Sequence, residues 1–413
     1  MKSIYTFYFA VLCYTTNIVA QDINYAKSVI ETLTSKKYAG RGYVKNGEHV
    51  AATFISKEFL KFELKPFGRS YNQDFSFPVN TFPGKMEIVA DGVSLIPGID
   101  FIVDPACPAI TGTFEIVELL TVDDWYKKSK LDNKIVLIDL SLFSDSLKKV
   151  VRAYINENRS NIGFIYLEEK KLTWSVSTSQ KNKFSVSVLK QSFNKNSKTL
   201  KVNIDALILP DHKSQNVIGF IEGEVKDSFV VYTGHYDHLG MMGKKTIFPG
   251  ANDNASGISF LLNLAKHYSK HKPKYTVVFI AFAGEEAGLI GSRYYTENPL
   301  FELYRIKFLL NFDLMGTGDE GIMVVNATEF SEAYTAMVTI NNDNNLLTKV
   351  DKRGKAANSD HYWFTEKGVP SFFIYTLGGI KAYHDVYDIA KTLPLTEYVD
   401  LFKLITLFAN QIN

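Results

Sequence analysis

The 413-residue chain has only two cysteines, and one of them, Cys13, lies within its first 20 residues. Those residues read as an export signal. Lys2 gives a positive start, Ile4 to Leu12 is almost wholly apolar, and Ile18, Val19 and Ala20 precede a cleavage point before Gln21. Leu12, just before Cys13, is not the small residue that a lipid-anchoring signal carries. Cleavage leaves Cys107 alone, which excludes an internal disulfide framework despite an export route that permits one. A long apolar run is also lacking: nothing after residue 20 approaches the roughly 20 residues of a membrane span. The expectation is therefore a secreted or periplasmic protein with no stable membrane insertion after cleavage.

Excess charge is absent too. Lys and Arg number 46 against 44 Asp and Glu, a formal net charge of +2, so the basic face of a nucleic-acid binder is not expected. The richest basic stretch, Lys170 to Lys201, is diluted by Ser, Asn and Gln, as a solvated loop or sheet face would be. Apolar residues make up 46% and charged residues 22%, a globular balance, and the length leaves room for two domains.

Three textures follow the leader. From Asp22 to about Gly68, Ala26, Val29, Ile30 and Leu33 recur at helical spacing, as do Ala52, Phe54, Ile55, Phe59 and Leu60. Between them Gly40-Arg41-Gly42 reads as a turn. From about Phe82 to Leu207, short apolar runs such as 134–138 and 162–167 predict a β-rich unit with one helix near Leu147 to Asn156. From about Ser214 onward strand and helix patterns alternate. Strands are expected at 229–233, 275–282, 306–312 and 369–375, with helices at 256–271 and near 289–295. Such alternation predicts a central, mostly parallel sheet with helices on both faces, whose ligands sit beyond the carboxyl ends of the strands.

The polar clusters fall at those ends. Gly234-His235-Tyr236-Asp237-His238 closes one strand, and Asn252-Asp253-Asn254 opens the next helix. Glu285-Glu286 follows a fully apolar strand, where adjacent carboxylates need a cation or a shared proton. Asp313 ends another strand, and Tyr383-His384 lies near the C-terminus. Helix capping explains Asp253 alone, and a satisfied polar group explains His235 alone. Together the five form a His, Asp, Glu, Asp, His series of imidazole and carboxylate donors without thiolate, which suits an open zinc site. Two divalent cations against three ligating carboxylates leave one positive charge, which a bound hydroxide balances.

The motifs Gly234-His235-Tyr236-Asp237, Gly250 to Gly257, Gly284-Glu285-Glu286-Ala287-Gly288, Asn311-Phe312-Asp313 and Tyr383-His384 resemble those of the secreted co-catalytic di-zinc aminopeptidases. Relatives of that family include glutamate carboxypeptidases and glutaminyl cyclotransferases. The resemblance implies a three-layer α/β/α sandwich with a mostly parallel mixed sheet and an inserted β-rich domain. It divides the chain into a signal peptide (1–20), an N-terminal part of the peptidase domain (21–81), a protease-associated-like insert (82–207) and the catalytic domain (208–413). It implies two Zn2+ ions, for which Co2+ or Mn2+ could substitute. Asp253 bridges them, His235 and Asp313 bind one, and Glu286 and His384 the other. Asp237 orients His235, Glu285 is the general base toward a metal-bridging water, and Tyr383 hydrogen-bonds the oxyanion. Ser359-Asp360-His361 is similar to the family's substrate-side loop. Asn252 departs from the pattern, standing where many relatives carry a second Asp.

The implied activity is removal of N-terminal residues from peptide substrates. Glutaminyl cyclotransfer is the first rival, although those relatives use one zinc. An acidic-residue carboxypeptidase is the second and needs an arginine-lined pocket, for which Arg293, Arg305 and Arg353 are candidates. A non-catalytic binding module would be expected to have lost ligands or the base.

Overall fold

A computed structural model describes residues 22–121, 124, 131–155 and 161–412. The expected leader, Cys13 and the cleavage point before Gln21 lie outside the described residues. Among those described, no helix is long and apolar enough to cross a membrane.

The larger of two sheets has eight strands. Across it run Asn72–Thr81, Leu207–Ile221, Tyr275–Phe282, Val225–His235, Ile306–Phe312, Ser371–Thr376, Ile322–Val325 and Val350–Arg353. The four from Tyr275–Phe282 to Ser371–Thr376 are parallel, and antiparallel pairings flank them. Side chains of a strand alternate between faces, and here the two faces are both apolar. Val230, Tyr232, Val277, Phe279 and Ala281 face one helical layer, made by Ile23–Thr34, Gly47–Lys61, Gly257–Tyr268 and Tyr398–Gln411. Phe229, Val231, Val278, Ile280 and Phe282 face the other, with Ile290–Glu297 and His361–Glu366. The result is the expected three-layer sandwich.

Several element boundaries differ from the expectation; the strand expected at 229–233, for example, runs over Val225–His235. The strand expected from Val369 starts at Ser371, after Pro370, which has no N–H for a ladder. The helix expected over 256–271 is regular only over Gly257–Tyr268. The edge strands and the C-terminal helix were not among the expected elements, although Tyr398, Leu401, Phe402, Ile405 and Phe408 recur at helical spacing.

Residues 86–204 form a second eight-stranded sheet, in which Ile135–Ile138 and Gly163–Glu168 pair in parallel. The helix expected near Leu147 spans Asp145–Ile155. Asn72–Thr81 and Leu207–Ile221, which lead into and out of this segment, pair with each other in the larger sheet. The segment thus lies in the chain between two strands that neighbour each other. A hairpin of Gly240–Met242 and Thr246–Phe248 reaches toward it, and its Met242 and Phe248, with Leu239 just before it, share one apolar cluster with Phe82, Phe101 and Trp174 of the insert side. Cys107 is buried there, and burial pushes its thiol up to about 12, far from a reactive thiolate.

Val225–His235 has Tyr275–Phe282 on one side and Ile306–Phe312 on the other. Chain direction across the sheet reverses at this strand, which opens a crevice at its carboxyl end.

Candidate metal centre

The crevice gathers all five expected ligands. His235 is the last residue of its strand and Asp313 follows the end of Ile306–Phe312. Glu285 and Glu286 occupy the turn between Phe282 and the helix from Ile290. Asp253 lies in the irregular run before Gly257–Tyr268, where the Asp253–Asn254 peptide is cis. His384 comes from an irregular segment after the last parallel strand.

Asp253 stands between the two histidines. Its Oδ1 is 3.4 Å from His235 Nε2, and its Oδ2 is 3.0 Å from His384 Nε2. Beyond them, Asp313 Oδ2 is 3.4 Å from His235 Nε2, and Glu286 Oε2 is 3.2 Å from His384 Nε2. The other ring nitrogens face backbone carbonyls: His235 Nδ1 lies 3.2 Å from the Asp237 oxygen, and His384 Nδ1 lies 2.9 Å from the Trp174 oxygen. A carbonyl only accepts, so each ring carries its proton on Nδ1 and turns Nε2 toward carboxylate oxygens. Lone pair facing lone pair requires a cation or a second proton between them. Even with both rings fully protonated, Asp253, Glu285, Glu286 and Asp313 would hold an excess of negative charge.

The electrostatics state the same demand. Burial and neighbouring acids raise Glu285 and Asp313 above the usual carboxylate range. Although burial opposes it, Glu286 and Asp253 push His384 up to about 11. Asp313 Oδ1 is buried without a hydrogen-bond partner. The donor atoms of His235, Asp253 and Glu286 lie within 4.8 Å of one another, as do those of His235, Glu285 and Asp313. The residues present therefore fit a bound cation.

A family model for peptidase family M28 matches residues 216–409. That match takes in just under half of the chain. The aminopeptidase YwaD of Bacillus subtilis is 34% identical over 169 residues, which cover 38% of this chain and 34% of that protein. A probable zinc metalloprotease of Pyrenophora teres f. teres is 41% identical over 95 residues, 22% of this chain and 20% of the relative. The matches thus span about a fifth to a third of these curated relatives. Among solved structures, the zinc aminopeptidase BSAP from Bacillus subtilis superimposes with a TM-score of 0.72 at 21% identity, over 93% of this chain and 94% of that one. An aminopeptidase from Aneurinibacillus sp. strain AM-1 gives 0.66 at 21% identity, over 95% and 94%. The shared fold therefore runs through the insert as well.

Around these candidate ligands stands a set of supports, some of them unforeseen. The Asp237 carboxylate was expected to orient His235, but it is 3.8 Å from the ring. Its oxygens accept instead from the backbone amides of Glu285 at 3.2 Å and Glu286 at 3.3 Å, and from the Tyr43 hydroxyl at 2.9 Å. Asp237 thus fixes the paired-glutamate turn, and its carbonyl holds the ring. His238 donates from Nδ1 to Glu286 Oε1 at 2.6 Å. The buried Asp388 carboxylate accepts from the amides of Asn252 at 2.8 Å and Asp253 at 3.0 Å, which pins the run carrying Asp253. Asn252 Oδ1 accepts from the Gly316 amide at 2.9 Å, a role that an Asp oxygen would fill equally.

Ser359-Asp360-His361 is completely buried, which corrects its expected place beside the substrate. Ser359 accepts from Asn311 at 2.8 Å and donates to Asp313 Oδ2 at 3.4 Å, supporting the site from beneath. Tyr383, by contrast, is 44% exposed, and its ring stacks on His384 at 4.0 Å between centroids. That position is unlike core packing and leaves the phenol beside the ligands.

The Gly40-Arg41-Gly42 turn reaches deepest into the support. The Arg41 guanidinium is completely buried and donates to five carbonyls: Leu33, Tyr236, Pro249, Gly250 and Asp253. Burial lowers it to about 10, so it stays charged at neutral pH, with Asp253 and Asp388 favouring that charge. Gly42 lies against Gly240 so closely that a Cβ would come within 2.3 Å of the Gly240 Cα. Gly42→Ala must push two backbones apart and is expected to cost about 1–3 kcal/mol or more. Urea unfolding of that variant, beside an exposed control such as Gly68→Ala, checks the value; equal midpoints would refute the close approach.

Proposed function

We propose that this protein is a metal-dependent aminopeptidase that removes N-terminal residues from peptides. One observation carries the reading: the two oxygens of a single carboxylate, Asp253, face two separate histidines, each backed by its own second acid. That arrangement supports two zinc ions, one with His235 and Asp313, the other with His384 and Glu286, and Asp253 common to both. Bound there, the ions would supply Lewis acidity toward the scissile carbonyl and lower the pKa of the attacking water.

The chain's own groups do the rest. Glu285, raised by burial and by the neighbouring acids, takes the proton of the attacking water and returns it to the departing amine. The elements of water are thus added across the C–N bond. Asp237 keeps Glu285 in register through its amide. Tyr383 offers its hydroxyl to the oxyanion that develops on the former carbonyl. The insert at 82–207 is read as a protease-associated-like domain, and export by the 1–20 leader as the route out of the cytoplasm.

The arginines do not favour a carboxypeptidase. Arg305 is at the opposite end of its strand from Asp313, bonded to the Asp227 carbonyl, and Arg353 ends the edge strand. Arg293 pairs with Glu297.

Incubating the protein from Gln21 onward with a mixed peptide library, read by mass spectrometry, tests the reading. Stepwise loss of N-terminal residues is expected, abolished by chelator and restored by zinc. Ammonia loss from N-terminal Gln, C-terminal trimming, or no turnover with zinc supplied would each overturn it.

A further inference from the structure

We propose that the insert is part of the metal site's support, because the backbone of Trp174 positions His384. The inference rests on the two-ion reading above. His235 and Asp313 lie at strand ends and Asp253 and Glu286 within four residues of a regular element, whereas His384 sits in a longer irregular segment with a φ of +54°, a region that side-chain-bearing residues seldom adopt. Local secondary structure does not hold it. Trp174 does, twice over. The Trp174 amide donates to the His384 carbonyl at 2.9 Å, which fixes the backbone. The Trp174 carbonyl accepts from His384 Nδ1 at 2.9 Å, which fixes the ring and leaves Nε2 for ligation.

Trp174 is itself anchored inside the insert. Its indole N–H donates to the Val103 carbonyl at 2.9 Å, its ring packs on Phe248 at 4.6 Å, and it is 4% exposed. A second tether lies three residues earlier. Lys171 Nζ is 3.0 Å from Asp385 Oδ2 and 3.0 Å from the Lys381 carbonyl, so it grips the segment on both sides of His384. Asp385 in turn accepts from the Tyr387 amide at 2.9 Å. Among the described residues nothing comparable joins the insert to His235, whose ring is held by the Asp237 carbonyl of its own segment. The insert therefore governs one metal position and not the other. Trp174 and Lys171 are positioning residues for His384.

The test is a zinc-competition titration of the full mature chain against a chromophoric chelator, with metal-free unfolding followed in parallel. Lys171→Met removes the tether from a partly exposed position. Trp174→Phe keeps an aromatic ring and loses the indole N–H. Each is expected to leave one zinc unchanged and to weaken the other by about 10–100-fold. Lys134→Met, which breaks a pair with Glu115 elsewhere in the insert, is expected to change neither. A wild-type chain that binds fewer than two ions overturns the two-ion reading and this inference with it. Two ions in the wild type with neither weakened in the variants overturns this inference alone. Equal weakening of both would assign Trp174 and Lys171 a general structural role and overturn it as well.

Discussion

Replacing Glu285 with glutamine is expected to cut turnover by roughly 10²–10⁴-fold, the range of general acid–base catalysis, while leaving zinc content unchanged. The substitution keeps the side chain's size and removes only the proton acceptor. Its backbone stays in place because the amide is held by Asp237, not by the Glu285 side chain. The experiment also separates two roles that the geometry alone allows. Glu285 oxygens lie within reach of the His235 and Asp313 donor atoms, so a ligand role is open to them. If Glu285→Gln loses a zinc ion, the residue is a ligand. If it keeps both ions and full activity, the base lies elsewhere.

Arg41→Met is expected to destabilise the protein by at least about 4 kcal/mol. Five carbonyls lose a charged donor at once, and each buried acceptor left unmade costs roughly 1–3 kcal/mol, so partial relaxation still leaves a large deficit. Domains are stable by only about 5–15 kcal/mol, which puts this variant near the edge of folding. Arg41→Lys is not a rescue, since three donors from a point cannot span five acceptors around a planar fork. Urea midpoints of both variants give the answer, and a midpoint within error of wild type would refute the role. Because Pro249, Gly250 and Asp253 supply three of the acceptors, zinc affinity should fall together with stability.

The contrast between Glu285 and Arg41 shows what a sequence can disclose. The candidate ligands could be named because four of them lie near an apolar run of recognisable period, and because the order of all five resembles a known one. The sheet was legible for the same reason: Val277 to Phe282 can only be a strand buried on both faces. Arg41 carried no such mark. Its acceptors at Tyr236, Pro249, Gly250 and Asp253 lie about two hundred residues away and are backbone atoms, so no side-chain type announces them. Asp388 and Trp174 were silent for the same reason. Asp237 was found in the right place with its carboxylate assigned to the wrong donor, because spacing shows proximity along the chain and not the direction of an oxygen. The burial of Ser359 to His361 shows that limit too, since a polar triplet at the start of a helix looks alike at a surface and beneath a site.

The hairpin 240–248 has one more consequence. It lies in the chain between His235 and Asp253, yet its Met242 and Phe248, with Leu239 just before it, complete the apolar cluster of the inserted sheet. A cut at both ends of residues 86–204 would therefore pass through a shared interior, leaving each piece with an uncovered oily wall. The two sheets are separate in their strand pairing but share one interior, so exchanging the inserted segment would require repacking the loop between His235 and Asp253.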